Sequence, residues 1–185
     1  NTAVAGPDRE LKYSLTVQKM SGDKPVDAPF KSAGRDIYQS GWKFKMVFET
    51  VADGFLYLFD EGLDDKGNAG YYLLFPTPKT NGGAAAVRAG QQIETCSNTF
   101  AGAPGSEVVW LVWTRERLPD LESVKDAGIA GGGTVKDIHK AQTLGAFLEK
   151  NKQANTGSTV DSANQRTVVK AKGDTLVYRF ELEHR

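Results

Sequence analysis

A single cysteine, Cys96, and two histidines, His139 and His184, are all that 185 residues offer to disulfide or soft-metal chemistry. One cysteine excludes an internal disulfide framework and is compatible with either redox compartment. Two histidines exclude an all-histidine zinc site, and His184 beside Arg185 has no ligand partner in sequence. Net charge is missing as well, since 23 Asp and Glu balance 23 Lys and Arg. Without a field of one sign, neither nucleic acid nor a membrane surface is recruited electrostatically. No apolar run approaches the roughly 20 residues of a membrane-spanning helix. There is no Gly-x-Ser-x-Gly elbow for a serine nucleophile. "AGIAGGGT" lacks the Gly-Lys-Ser/Thr ending of a phosphate loop and reads as a flexible linker. The first residues lack the apolar core of a signal peptide, although "AVAG" at 3–6 has the small-residue character of a cleavage remnant.

What is present is β-patterning. In "LKYSLTVQK", residues 11–19, Leu11, Tyr13, Leu15 and Val17 alternate with polar residues, the period of a half-buried strand. "SGDKPVDAP" reads as a turn-rich loop. "WKFKMVFET" puts Trp42, Phe44, Met46 and Phe48 on one face and Lys43, Lys45 and Glu49 on the other. "FLYLF" is apolar on both faces, as a central strand is, and "DEGLDDKGNAG" joins it to "YYLLF" as a hairpin. Pro76 and Pro78 end that second arm, because proline cannot donate to a ladder. A short polar strand is expected over Val87–Thr95, and a strong one over "EVVWLVWT", residues 107–114.

After residue 116 the pattern changes. "LPDLESVKDAG" has Pro119 at a helix start, Asp120 and Glu122 in the first turn and Gly128 as a stop. "TVKDIHKAQTLGAFLEK" reads as a second helix, with Thr134 and Asp137 in a capping-box arrangement. Val135, Ile138, Ala141, Gly145 and Leu148 would form its inward face. "NKQANTGSTVDSANQ" reads as a mobile polar loop. Two strands, "RTVVKAK" and "TLVYRFELEH", then follow, and the alternation of Leu176, Tyr178, Phe180 and Leu182 requires a sheet to receive the second. The chain is expected to fold as one mainly-β domain over 1–185, an antiparallel β-sandwich, immunoglobulin-like or jelly-roll-like, of about seven to nine strands. Its core is residues 11–116; residues 117–165 are a two-helix insertion with the loop, and 166–185 the returning strands.

Four short motifs occur in order: Gly54-Phe55-Leu56-Tyr57, Leu74-Phe75-Pro76, Val87-Arg88-Ala89-Gly90 and Pro104-Gly105-Ser106-Glu107. In these, over residues 11–116, the chain resembles the bacterial domain of unknown function 4384 family. The resemblance implies an accessory domain of bacterial envelope proteins, or a neighbour of kinase- and caspase-like modules, and carries over no catalytic residue. Gly, Pro and large apolar residues in such motifs serve a fold before they serve a ligand.

Candidate sites follow from residue type. Cys96, His139 and Asp137 could be assembled into a nucleophile set, but no Cys-His signature surrounds them, and an ordinary thiol with a surface histidine is the preferred reading. Asp60, Glu61, Asp64, Asp65 and Asn68 could crowd around calcium, yet their spacing is not that of an EF-hand and a solvated hairpin turn is preferred. Trp110 and Trp113 differ by three and so face opposite sides of a strand; one belongs in the core, the other exposed or under the helices. An exposed tryptophan beside Tyr71 or Tyr72 would make a binding platform, which gives Tyr71, Tyr72, Trp110 and Trp113 as candidate binding residues. No catalytic residue, metal ligand or cofactor is expected. The resulting expectation is a non-enzymatic module, outside the cytoplasm, that binds a protein or glycan partner; the alternative is a structural subunit that associates with itself in a surface or extracellular assembly.

Overall fold

Where apolar residues alternate, the chain builds a sheet with one wet face, and where they run unbroken it builds a sheet covered on both. A computed structural model describes residues 8–63, 66–152 and 157–185. Among these, twelve strands and two helices follow in order: β1 (Asp8–Ser21), β2 (Lys24–Ser32), β3 (Lys43–Thr50), β4 (Gly54–Leu63), β5 (Ala69–Phe75), β6 (Ala86–Val87), β7 (Gln92–Glu94), β8 (Asn98–Thr99), β9 (Gly105–Thr114), α1 (Pro119–Ala130), α2 (Ile138–Asn151), β10 (Gly157–Asp161), β11 (Arg166–Lys172) and β12 (Thr175–His184). All the strand pairs are antiparallel.

One sheet, the outer one, has the order β10-β11-β1-β3-β7, with β2 also on β1 and β8 on β3. The other, the middle one, has the order β12-β9-β4-β5, with β6 on β4. The sheets face each other across a core that includes Leu15, Met46 and Phe48 from the outer sheet and Leu58, Leu111 and Leu182 from the middle sheet. The helices lie on the far face of the middle sheet, where Tyr57, Phe59, Trp110 and Val112 meet Leu121 and Val124 of α1 and Leu144 and Leu148 of α2. The result is a mainly-β sandwich of two antiparallel sheets with a late helical pair, as the patterning predicts, but with twelve strands among the described residues where about seven to nine are expected, because short or exposed strands such as β2, β6, β8 and β10 carry little apolar signal.

The C-terminal strand is central to this arrangement. β12 pairs with β9 over ten residues without a register shift, from Thr175↔Thr114 to His184↔Gly105. Tyr38 then bridges to His184, and Arg185 N–H donates to the Tyr38 carbonyl at 3.0 Å, which closes part of the outer edge of β12.

Several expectations are corrected. Residues expected as a turn-rich loop form β2, because Gly22 (φ 57°) turns the chain back along the end of β1. Exposure at nearly every position of β2 hid it from a burial-based reading. The single strand expected over Val87–Thr95 is two fragments in different sheets, β6 on β4 and β7 on β3. Between them Gly90 takes φ 71°, so Val-Arg-Ala-Gly is a crossover from one sheet to the other. Part of the polar stretch expected as a mobile loop is β10, paired with β11; residues 153–156 lie outside the described residues.

Gly128 does not stop α1, which runs on to Ala130. A Cβ at Gly128 would lie 2.9 Å from that of Leu73, so the glycine lets the helix sit against β5. α2 starts three residues late, at Ile138: Asp137 is the N-cap and accepts from His139 N–H at 2.9 Å and Lys140 N–H at 3.2 Å. Residues 133–135 instead extend along β5, with Leu73 N–H donating to the Gly133 carbonyl at 2.7 Å and Val135 N–H to the Tyr71 carbonyl at 2.9 Å. The glycine run is therefore a packed edge and not a flexible linker. Gly133 has φ 108°, and a Cβ there would fall 2.2 Å from the Tyr72 ring.

Candidate functional site

Side-chain alternation along β5 sends Tyr71 and Leu73 toward the helices and Tyr72 and Leu74 toward the gap between the sheets. Pro76 ends the ladder, and the chain folds into a tight turn held by Thr77 N–H to Thr80 Oγ1 (2.9 Å) and Thr80 N–H to the Thr77 carbonyl (2.9 Å). On the outer sheet, residues 95–98 leave β3 between its two short partners, β7 and β8. They are held by Asn98 Nδ2, which donates to the Cys96 carbonyl at 3.0 Å. The space between these edges is a groove of about 390 Å³, lined by Tyr72, Leu74, Thr77, Cys96, Asn98 and Ile129, among others. A second recess of about 170 Å³ shares Tyr72, Leu74 and Asn98 with it and ends at Asp60 and Glu107.

The end of this recess is acidic. Burial, then the charges of Glu107 and Glu61, push the Asp60 carboxyl up to about 6. Its Oδ1 is buried without a hydrogen-bond partner. Glu61 points the other way, toward the helices, and accepts from the indole N–H of Trp110.

The four candidate binding residues do not come together. Trp110 and Trp113 do face opposite sides of β9, but each is only 2% exposed. The helices cover Trp110, and Trp113 lies in the inter-sheet core against Gly54, where a Cβ would come within 2.5 Å of the indole. This contact accounts for the glycine of Gly-Phe-Leu-Tyr. Tyr71 is 7% exposed and packs beneath α2, with its hydroxyl 3.1 Å from where a Cβ on Gly145 would stand. Only Tyr72, 43% exposed, presents a ring to solvent, at the groove. The expected platform is thus corrected to one aromatic.

Cys96 is half-buried, with its Sγ 3.8 Å from Thr77 Oγ1. Asp137 is occupied as the N-cap of α2, accepting from the backbone N–H of His139, while Cys96 neighbours Thr77 at the groove, so the carboxylate of the suggested Cys-His-Asp set is engaged with backbone and not with an imidazole ring. In the acidic hairpin, Asp60 and Glu61 belong to β4, paired with Tyr72 and Tyr71, and Asp64 and Asp65 lie outside the described residues. Among the described residues, no three His, Cys, Asp or Glu side chains converge on a point that could hold a metal.

One constellation was not legible in the sequence. Ser40 Oγ lies 2.9 Å from His184 Nδ1, and His184 Nε2 lies 3.5 Å from Glu107 Oε1, joining residues 144 positions apart. The residue types are those of a nucleophile, a base and an orienting acid. The surroundings differ: Ser40 N–H donates to the Arg185 carbonyl and Gly41 N–H to that of Phe100, both at 2.7 Å. Those N–H groups are not available to a developing oxyanion. His184, packed near the Phe100 ring, ties β12 to β9 and to residues 38–40. Compared with protein-family models, with curated proteins and with solved structures, the chain matches none.

Proposed function

We propose that this protein is a non-catalytic binding module that holds an extended segment of a partner protein in the groove between β5 and residues 95–98. The observation that carries the reading is the groove itself: about 390 Å³ with an exposed tyrosine at its rim, continuous with a smaller acidic recess. Its size is that of ligand pockets, and tyrosine is among the side chains that anchor interfaces most often. Its walls are fixed by hydrogen bonds and close-packed glycines, so little ordering is required on binding. The resemblance to the domain of unknown function 4384 family supports a place outside the cytoplasm, as an accessory domain of a bacterial envelope or secreted protein. Self-assembly has less support, since the large exposed apolar residues include Val26, Ile37, Leu63 and Val160 on separate strands and loops.

The test is selection of binders from a random peptide display library against the intact chain. Selected peptides should lose tenfold or more in affinity with Tyr72→Ala, about 1.4 kcal/mol, while the variant melts like the parent. Peptides that bind Tyr72→Ala and parent alike would place recognition elsewhere. Light scattering that showed concentration-dependent polymers would favour self-assembly.

A further inference from the structure

Strand register decides what stands at the end of the smaller recess. Asp60 of β4 lies opposite Tyr72 of β5 on one side and Val109 of β9 on the other. Residues on one face of neighbouring strands stand together, so Glu107, two positions before Val109, joins them. These four residues, with Phe44 and Leu74, line the recess of about 170 Å³. Phe44, Leu74 and Val109 give it apolar walls and are at most 7% exposed. Asp60 and Glu107 are half-buried, so solvent reaches part of each. The recess shares Tyr72 and Leu74 with the groove, and a chain lying in the groove can send a side chain into it. It is smaller than the roughly 300–1,000 Å³ of ligand pockets, which suits one side chain and not a whole ligand.

The two carboxylates lack a cation of their own. Among the described residues, no lysine or arginine forms an ion pair with either. Glu107 Oε1 lies 3.5 Å from His184 Nε2, beyond the usual length of an N–H···O bond, and His184 Nδ1 is engaged by Ser40. Asp60 Oδ1 has no hydrogen-bond partner among the described residues. Glu61, next along β4, turns to the Trp110 indole on the other face and adds charge without contact. Burial first, then Glu107 and Glu61, push the Asp60 carboxyl up to about 6, and at pH 7 a group of that pKa is mostly ionised. Acidity alone would specify no occupant; apolar walls ending in carboxylates do. Lysine and arginine bury an alkyl stem and carry the charge at its tip. A cation at the end of the recess would relieve the crowding of like charges, while a neutral side chain would leave them desolvated and unmatched. Tyr72, 43% exposed at the junction with the groove, offers a ring face to the same cation.

We propose that the groove selects a basic residue: a lysine or arginine of the extended partner segment enters the recess, its stem against Phe44, Leu74 and Val109 and its charged head at Asp60 and Glu107. This selectivity presupposes the peptide reading of the groove, so the recess is tested both without and with a peptide. Backbone amide NMR of the intact chain is followed during titration with n-butylammonium and n-butylguanidinium chloride, against n-butanol and against potassium chloride at equal ionic strength. Saturable shifts at residues 60, 72–74 and 107–109, half-complete below about 50 mM, are expected with the two organic cations only. The tighter of the two identifies lysine or arginine. Asp60→Asn and Glu107→Gln should each weaken that binding about tenfold. Peptides selected on the groove should carry a basic residue at one position, and norleucine there should cost about tenfold on the parent but little on Asp60→Asn. Peptides that need Tyr72 but no basic residue would keep the groove and overturn its selectivity. Butylammonium binding without any Tyr72-dependent peptide would mean that the groove reading has failed and not the recess. The proposal is also overturned by equal shifts with potassium or butanol, by no saturable shift with either organic cation, or by unchanged affinity in both variants.

Discussion

The two sheets use the same strand geometry and opposite burial. In β3, of the outer sheet, burial alternates: Phe44, Met46 and Phe48 are buried while Lys43 is exposed and Lys45, Val47 and Glu49 are half-buried. In β4, of the middle sheet, Leu56, Tyr57, Leu58 and Phe59 are buried consecutively. Alternation marks a strand with water on one side and an unbroken run marks one with none. The lesson extends to the edges. β10, at the edge of the outer sheet, buries no residue, whereas β12, at the edge of the middle sheet, buries Leu176, Val177, Phe180, Leu182 and His184.

Removing each edge strand gives the largest expected difference. Burying a large apolar side chain contributes about 1.5–3 kcal/mol before ordering entropy, and four of them rival the roughly 5–15 kcal/mol net stability of a domain. Deleting residues 175–185 should leave insoluble or unfolded protein. Replacing residues 157–161 with a Gly-Ser segment of equal length should leave soluble, cooperatively melting protein, since β10 buries no residue and the Arg166–Asp161 pair it removes is partly exposed and weakened by solvent. Soluble yield and thermal midpoint decide it; if both variants behave alike, the edges are equivalent.

Consecutive alanine substitutions sharpen the comparison within single strands. Along Leu56–Phe59 every substitution should destabilise by about 2–5 kcal/mol. Along Met46–Glu49 the loss should fall on Met46 and Phe48, with Val47 and Glu49 within about 1 kcal/mol of the parent. Denaturant midpoints would give a flat profile for the first strand and a saw-tooth for the second. A saw-tooth in both would mean that the helices contribute little to the middle sheet.

The contrast was legible because burial on one face or two leaves its mark in neighbouring residues. "FLYLF" and "VVWLVW" announce strands that both faces of a sheet bury, and the opposed faces of Trp110 and Trp113 follow from the period of two. What escaped depends on residues distant in sequence. Gly133 is a glycine because of Tyr72, some sixty positions earlier, and Gly128 because of Leu73. Read locally, both resemble a helix stop and a linker. β2 escaped because a strand with almost nothing buried has no apolar signal. The groove escaped for the same reason as the glycines: its walls come from β5, residues 95–98 and the end of α1, and no local pattern records that they meet.

Those glycines give the next prediction, on how the middle sheet keeps its second cover. Gly132 and Gly133 both have positive φ, 69° and 108°, but a Cβ on Gly132 would meet nothing within 4 Å. Gly132→Ala should cost about 1 kcal/mol, for backbone strain alone. Gly133→Ala adds a collision with the Tyr72 ring and should cost about 2–3 kcal/mol. The double variant Gly133→Ala with Tyr72→Ala should recover part of that loss. No recovery would show that backbone strain, not packing against the groove tyrosine, fixes glycine at 133.

The smallest effect concerns two carboxylates on opposite faces of the middle sheet. Glu122 of α1 accepts from the Tyr57 hydroxyl at 2.7 Å and from Lys125 Nζ at 2.8 Å. Burial alone would raise its pKa, but those two partners outweigh burial and the net shift is downward. Asp60, on the inner face, has a buried Oδ1 without a hydrogen-bond partner among the described residues, and is raised from 3.8 to about 6 by burial and by Glu107 and Glu61. The signs therefore oppose. The contribution of Glu122 is present above its unfolded-state pKa and is lost as pH falls through its lower folded value. That of Asp60 is fully present below pH 3.8 and is lost as pH rises to about 6, because the folded state holds the proton more tightly than the unfolded chain. A shift of about two units corresponds to at most about 3 kcal/mol. Solvent reaching the recess should reduce this to about 1 kcal/mol, or roughly 2–4 °C in a domain of this size. Asp60→Asn should accordingly raise the midpoint at pH 7 by that amount and flatten its pH dependence between 4 and 6. Glu122→Gln should lower the midpoint at pH 7 and leave the slope over that upper window unchanged. If Asp60→Asn melts lower than the parent at pH 7, the Asp60 carboxylate is satisfied in solution, and the acidic end of the groove is not the destabilised site that its burial implies.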